Sequence, residues 1–367
     1  MDTIVAADPA DLIAYAYYRI GFRPRESLVV IGMLPARSSG DAGRNGGPGG
    51  SGRSGRSGRM QVGMVARLDL PPVRERRQAF EHLARLMADQ DHPAAVALLI
   101  TQRPTDSLVK AWRKAARAGR LGVMDVITVD DQSYRSILCR DEGCCPPEGF
   151  PLASVFAGPM AADLVSRGQA LVEEADDLVA DVAPVDPLPP ELFVDVPSTA
   201  AVRFDLMRRW GDLVAAQGDL VPAEIDSEDL VDLVQGLDDV RFRDAVLVAM
   251  SAPTGADGLS SARLMAAGEA ERAMAEAERH LPDDELLRRS RRVLAAVARR
   301  APVGRRAEAL GVLAWAAWWQ GEPVQARLLA ERALQDQPQH RMSHLVLGLV
   351  SACIAPPWVA RQRALIS

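Results

Sequence analysis

Apolar and polar positions change rhythm along the chain, and each change marks an element. Leu12, Tyr15, Ala16 and Arg19 recur at helical spacing and predict a first helix with that stripe turned inward. Asp8 ahead of Pro9 supplies its cap, Asp11 places a carboxylate at the positive helix end, and Gly21 stops it. Residues 27–33 and 61–70 read as neighbouring strands, and Pro71-Pro72 ends the second before a helix over 73–89. The run 94–101 is continuously apolar and too short for a typical helix, so it predicts a strand covered on both faces. A helix over 105–119 and a strand over 122–129 follow. Residues 134–138 then turn back through Asp130-Asp131-Gln132 as a hairpin partner. A helical stretch over 151–168 is broken at Gly158-Pro159.

Beyond this point the period is helical almost throughout, with helices expected near 201–217, 227–236, 239–250, 259–280, 284–300, 303–319, 323–335 and 340–353, and room for a short strand at 192–196. The pattern predicts an α/β N-terminal domain (1–168) with a mixed or mostly parallel sheet, then an all-α C-terminal domain (201–367). Between them, 169–200 reads as an acidic, proline-rich linker. Glu173, Glu174, Asp176, Asp177, Asp181, Asp186, Glu191 and Asp195 crowd it with five prolines, and it has no lysine or arginine.

Composition adjusts the picture in three places. A chain of 367 residues that is 48% apolar can fill two cores,. No apolar run approaches the roughly 20 residues that cross a bilayer, so a cytoplasmic protein without a membrane partner is expected. The net charge of −6 offers nucleic acid no general attraction,. The exception is 36–59, a Gly/Ser-rich insert expected to be disordered, with Arg37, Arg44, Arg53, Arg56 and Arg59 against Asp41. RNA or an acidic partner would bind there if anywhere. A tolerated insertion between two strands is the plainer account, since loop closure costs little with length.

Candidate chemistry is sparse. Asp69, Thr101 and Asp130 fall at strand ends, where open α/β sheets place ligands, and Arg67 and Arg103 can add two-donor recognition of a carboxylate or phosphate. Turns, caps and surface charge account for each of these five singly. Cys139, Cys144 and Cys145 gather after a strand, ahead of the rigid Pro146-Pro147, while Cys353 stands apart, and thiols are their expected state. The spacing departs from paired zinc-ribbon cysteines and shows no obvious fourth ligand, although His82 or His92 could approach in space; a structural or packing role is the main reading, with metal binding and reversible thiol chemistry as the alternatives, no metal is assigned, and the cofactor is unknown. Asp141, Glu142 and Glu148 are nearby acid–base candidates without established geometry. Phosphate-loop, nucleophile-elbow, metalloprotease and dinucleotide fingerprints do not occur.

Leu313-Ala-Trp-Ala-Ala-Trp-Trp-Gln-Gly321 and the Glu-Arg-Ala-Leu at 331–334 resemble one tetratricopeptide-type helix pair, with Trp315, Trp318 and Trp319 as packing residues. Four unlike segments occur in order: Gly21-Phe-Arg-Pro-Arg-Glu-Ser-Leu-Val-Val30, Val65-Ala-Arg-Leu-Asp-Leu70, Cys144-Cys-Pro-Pro-Glu-Gly149, and Trp318-Trp-Gln-Gly with its tail to Ala333-Leu. Together they resemble the DUF4192 family of actinobacterial proteins. The resemblance spans nearly the whole chain and implies no particular activity, substrate or cofactor. A ligand-binding or protein-interaction protein is expected, with a small molecule or protein as partner. The alternative is an enzyme acting on a small polar or anionic substrate at the strand-end crevice.

Overall fold

In a computed structural model, α1 (Pro9–Ile20) starts at Asp8, whose Oδ1 accepts from Asp11 N at 2.9 Å, and ends at Gly21, where φ is 88°. Its buried face is broader than the expected stripe. Ile13, Ala14, Tyr15, Ala16, Tyr17 and Ile20 are buried, while Arg19 is exposed in the last turn, where a cation suits the helix dipole,. The structure describes residues 8–35, 60–90, 92–142, 144–194, 198–218, 224–251, 272, 274–275, 278–279 and 281–359. The expected insert at 36–59 and most of the expected helix at 259–280 lie outside them. Contacts divide the chain into two units, Met1–Glu174 and Ala175–Ser367.

The first unit is built on β1 (Ser27–Pro35), β2 (Met60–Asp69), β3 (Ala94–Ile100), β4 (Gly122–Val129), β5 (Ser133–Ser136) and β6 (Phe150–Pro151), in the order β2-β1-β3-β4-β5-β6. Among the described strands only β3 and β4 pair in parallel; the other four pairs are antiparallel. The sheet is therefore mixed, and the mostly parallel alternative is corrected. The reason is the place of β1. It lies between β2 and β3 and runs against both, so the crossover through α2 (Val73–Asp89) joins two parallel strands that never touch,.

Alternation decides the layers. Leu28 and Val30 of β1, with Ala95, Ala97 and Leu99 of β3, pack on Phe80, Leu83 and Met87 of α2 and on Leu108, Val109 and Trp112 of α3 (Asp106–Ala118),. Val29, Ile31, Val96 and Leu98 point the other way and are also buried. On that face α1 packs against β1 and β2, and against the short helices α4 (Ala153–Phe156) and α5 (Pro159–Ser166). The hairpin expected through 130–132 forms, with Val129 paired to Tyr134.

The inner part of the β1–β2 pair carries a buried histidine. His92 lies against Gly32 and Gly63; a Cβ would stand 2.2 Å from its ring at residue 32 and 2.4 Å at residue 63. Its Nε2 accepts from Met64 N at 3.2 Å, and Tyr15 Oη donates to Gly63 O at 3.2 Å. The register shifts between Ile31 and Met33, beside this contact,.

The second unit is helical: α6 (Ala200–Ala216), α7 (Ser227–Leu237), α8 (Val240–Ser251), α9 (Asp284–Arg300), α10 (Ala307–Trp319), α11 (Pro323–Asp336) and α12 (Arg341–Ser351). Helix α10 is apolar on every side, and all its residues but Glu308 are buried, which makes it the centre of this core,. Trp315 stacks on Trp319 at 5.0 Å, Trp318 Nε1 donates to Ile354 O at 2.8 Å, and Trp358 Nε1 donates to Trp319 O at 2.9 Å. The acidic stretch after Glu174 runs against this unit. Val179, Val182 and Leu188 enter its core, and Arg306 and Arg332 donate to Val182 O and Val179 O, each at 2.6 Å. Residues 190–192 form a 3-10 turn, and of the short strand expected at 192–196, residues 195–196 lie outside the described residues. Among the described residues no helix is long and apolar enough to cross a membrane.

The glycines make a direct contrast. Gly32→Ala drives a methyl into the His92 ring and is expected to destabilise the first unit by about 1–3 kcal/mol. Gly211→Ala, on an exposed helical position open on all sides, is expected to be neutral or to stabilise by up to about 1 kcal/mol,. Hydrogen exchange read by mass spectrometry on β1, β2 and α6 peptides checks both; equal exchange in Gly32→Ala and wild type would contradict the packing argument.

Candidate functional site

One end of the sheet gathers most of the expected binding residues. Ser27 pairs with Asp69 on one side and Ile100 on the other, and Ile100 pairs with Val129. The start of β1 therefore lies level with the ends of β2, β3 and β4. Chain leaving α1 reaches this rim through Phe22, which is buried and bridges to Val172.

Glu26 organises the rim. Its φ is 42°, a left-handed conformation that costs a non-glycine residue about 1 kcal/mol or more,. Its Oε1 accepts from Thr101 Oγ1 at 2.7 Å and from Gln102 N at 3.4 Å, and its Oε2 lies 2.8 Å from Arg103 Nε. Thr101 Oγ1 in turn accepts from Arg103 N at 3.1 Å. On the other flank of β1, Arg67 Nε donates to Ser27 Oγ at 3.1 Å, its guanidinium lies 5.1 Å from the Phe22 ring centroid, and it pairs with Asp69. Arg67, Asp69, Thr101 and Arg103 are thus brought to one rim, through Glu26 and Ser27, two residues that strand-end reasoning missed. Neither residue has a local sign of this role: Glu26 precedes β1 and Ser27 opens it, and their partners Thr101 and Arg67 lie 75 and 40 residues away.

Asp130 has a different task. Its Oδ1 accepts from Gln132 N at 2.8 Å and Ser133 N at 2.7 Å, so it shapes the β4–β5 turn,. Burial alone would raise its pKa, but these bonds and the Ser133 hydroxyl outweigh that and hold it below the ordinary aspartate value,.

The rim is rich in arginine. Arg23 lies 4.4 Å from the Phe156 ring centroid and 3.4 Å from Glu173, and Arg25 lies 3.4 Å from Glu174. With Arg67 and Arg103, four guanidiniums meet four carboxylates on a surface where each exposed pair is worth about 1 kcal/mol or less.

The family model described as Domain of unknown function (DUF4192) matches residues 9–357. The chain belongs to the DUF4192 family. The DUF4192 match includes both units and every residue of the rim. No curated protein and no solved structure matches the chain.

The three clustered cysteines of this DUF4192 chain lie outside the apolar core. Cys144 is exposed, Cys139 and Cys145 are half-buried, and all are free thiols. Cys144 N and Cys145 N both donate to Asp141 O, at 3.1 and 2.7 Å, while Cys139 N donates to Ser136 Oγ at 3.1 Å. The three sulfurs lie within 4.8 Å of one another. Backbone at Asp141, then the Cys145 thiol, draws Cys139 below its ordinary value, whereas burial and the two neighbouring thiols push Cys145 up to about 12.

In the second unit, a polar chain threads the core: Arg243 Nη1 donates to Glu308 Oε2 at 3.0 Å, His340 Nε2 lies 3.2 Å from the same oxygen, and His340 Nδ1 lies 2.7 Å from Ser343 Oγ. Sequence reading missed it because its members are 65 and 32 residues apart or more local than any motif. The serine, histidine and carboxylate have the composition of a nucleophile chain, but Ser343 is wholly buried, so the arrangement ties α8, α10 and α12 together,. Burial alone would raise the Glu308 pKa; the bonds from His340 and Arg243 overcome this and lower it. A lowered carboxylate pKa stabilises the fold above the unfolded value, near 4.5, and the contribution is lost as pH falls through the folded value,. Glu308→Gln is expected to destabilise the helical unit by about 3 kcal/mol near neutrality, a penalty that shrinks as the pH is lowered below that range. Urea titrations of both proteins across pH 3 to 7, marked roughly by the carboxylate range, measure the difference; a pH-independent gap would contradict the assignment.

Proposed function

We propose that the α/β unit is a ligand-binding module whose rim at the start of β1 takes a small polar or anionic molecule. One observation carries this: three separate segments, 22–27, 67–69 and 101–103, meet at the start of β1, where Ser27 Oγ accepts from Arg67 and Glu26, in a left-handed backbone conformation, reaches Thr101 and Arg103,. The four arginines supply charge for a carboxylate or phosphate. The pairs Arg23–Glu173 and Arg25–Glu174 are exposed and weakly held, so exchanging one of these carboxylates for a ligand anion costs little,. Turnover at the same rim is the alternative, with Glu26 and Asp69 as its carboxylates.

The helical unit supports an interaction reading less well. Trp315, Trp318, Trp319 and Leu328 are buried, so they are spent on packing rather than on an exposed groove,. Its α10–α11 pair, turned at Gly321 with φ 79°, fits a tetratricopeptide-like unit. Four free thiols suit the reducing cytoplasm, which we take as the compartment,.

Ligand-observed NMR on the full chain, with a panel of nucleotides, sugar phosphates and carboxylic acids, tests the proposal. At least one reproducible ligand is expected, weakened about tenfold or more by Arg67→Ala or Arg103→Ala, the scale of a hydrogen bond to a charged group. A silent panel, or hits indifferent to both substitutions in folded protein, would sink it.

A further inference from the structure

The loop from Cys139 to Gly149 hangs from the β5–β6 edge of the sheet, and its three thiols have no place in the core. Their mutual distances are those of a coordination sphere. Zinc holds thiolates at about 2.3 Å in a tetrahedron, which puts neighbouring sulfurs about 3.8 Å apart along each edge. Cys144 and Cys145 already stand 3.9 Å apart sulfur to sulfur, and the whole set lies within 4.8 Å. Closing the remaining distance requires a shift of about an ångström in side chains that are at most half-buried.

The backbone is built to present the three together. Asp141 O accepts from the amides of both Cys144 and Cys145, so the chain turns tightly enough to bring these residues back beside Cys139. The first cysteine is moored to the sheet: its amide donates to Ser136 Oγ, which donates to Asp125 Oδ1 on β4 at 2.7 Å. The far side is moored too. Arg135 Nη1 donates to Pro147 O at 2.9 Å, and Gly149 turns with φ 77° so close to Tyr134 that a Cβ would stand 2.8 Å from its carbonyl oxygen.

We propose that Cys139, Cys144 and Cys145 bind one soft divalent cation, zinc above all, through three thiolates, leaving a fourth position for water or an outside donor. Among the described residues the group comprises these three ligands. Three protein ligands with an open position are the arrangement of zinc centres that act on a bound molecule, whereas closed structural sites carry four. The cation also answers an electrostatic problem: three adjacent thiols repel one another as they ionise. A bound dication makes all three thiolates stable together, and each thiol that ligates releases its proton to solvent, so affinity rises with pH. This site goes beyond the rim reading and stands or falls independently of it.

Full-length protein, reduced with a phosphine and stripped with chelator, is reloaded with zinc or cobalt(II) and measured by native mass spectrometry, elemental analysis and absorption. One metal per chain is expected, with the strong thiolate-to-cobalt charge transfer and intense visible bands of a tetrahedral site. Cys144→Ser combined with Cys145→Ser is expected to lose both signals, while Cys353→Ser keeps them, circular dichroism confirming the fold of each. Added imidazole or a small thiol is expected to shift the cobalt bands by filling the open position. Absence of stoichiometric metal under these conditions, or full retention by the double variant, overturns the site; an unshifted spectrum overturns the open position. A stable disulfide within the trio under glutathione buffering, mapped by mass spectrometry, would replace the metal reading with a redox one.

Discussion

The fold of the first unit depends on β1 being surrounded. It has hydrogen-bonded strands on both edges and packed helices on both faces, so neither its register nor its direction can change without exposing buried aliphatic residues,. Because β1 runs against both neighbours, its first residue stands beside the last residues of β2 and β3. Positions far apart in sequence therefore meet at one rim, as a consequence of strand direction alone.

That geometry explains why the rim was half legible in the sequence. Asp69, Thr101 and Arg103 announce themselves as polar residues at the ends of apolar runs, and Arg67 alternates with them. Glu26 does not, because its importance comes from a left-handed backbone and from partners 75 residues away, neither of which has a local signature. Asp130 sat at the same kind of boundary but serves a turn, which shows that a strand-end aspartate is ambiguous until its amide partners are seen.

The sheet's direction and the helical unit's interior show two further limits of period-based reading. Period and length located β3, α3, β4 and the hairpin well, yet strand order depends on long-range packing, and β1 interposed itself between two strands that a simple β-α-β reading would join. In the helical unit the largely apolar α10 was recognisable as an element, but the chain of Arg243, Glu308 and His340 is assembled from α8, α10 and the residue that precedes α12. For the acidic stretch, charge and proline content suggested a linker. Its Val179, Val182 and Leu188 decide the matter instead, because three buried side chains outweigh the composition around them,.

The histidine held between Gly32 and Gly63 gives the β1–β2 pair a lock of its own. Most hairpins take their register from the turn that joins the strands, which limits what the turn can be. Here the ring, the bond to Met64 N and the nearby shift in register set the alignment from inside the sheet. The alignment of the strands that carry the rim is thereby fixed by side-chain packing against β1 and β2 themselves, so a single imidazole does for this pair what a tight turn does elsewhere.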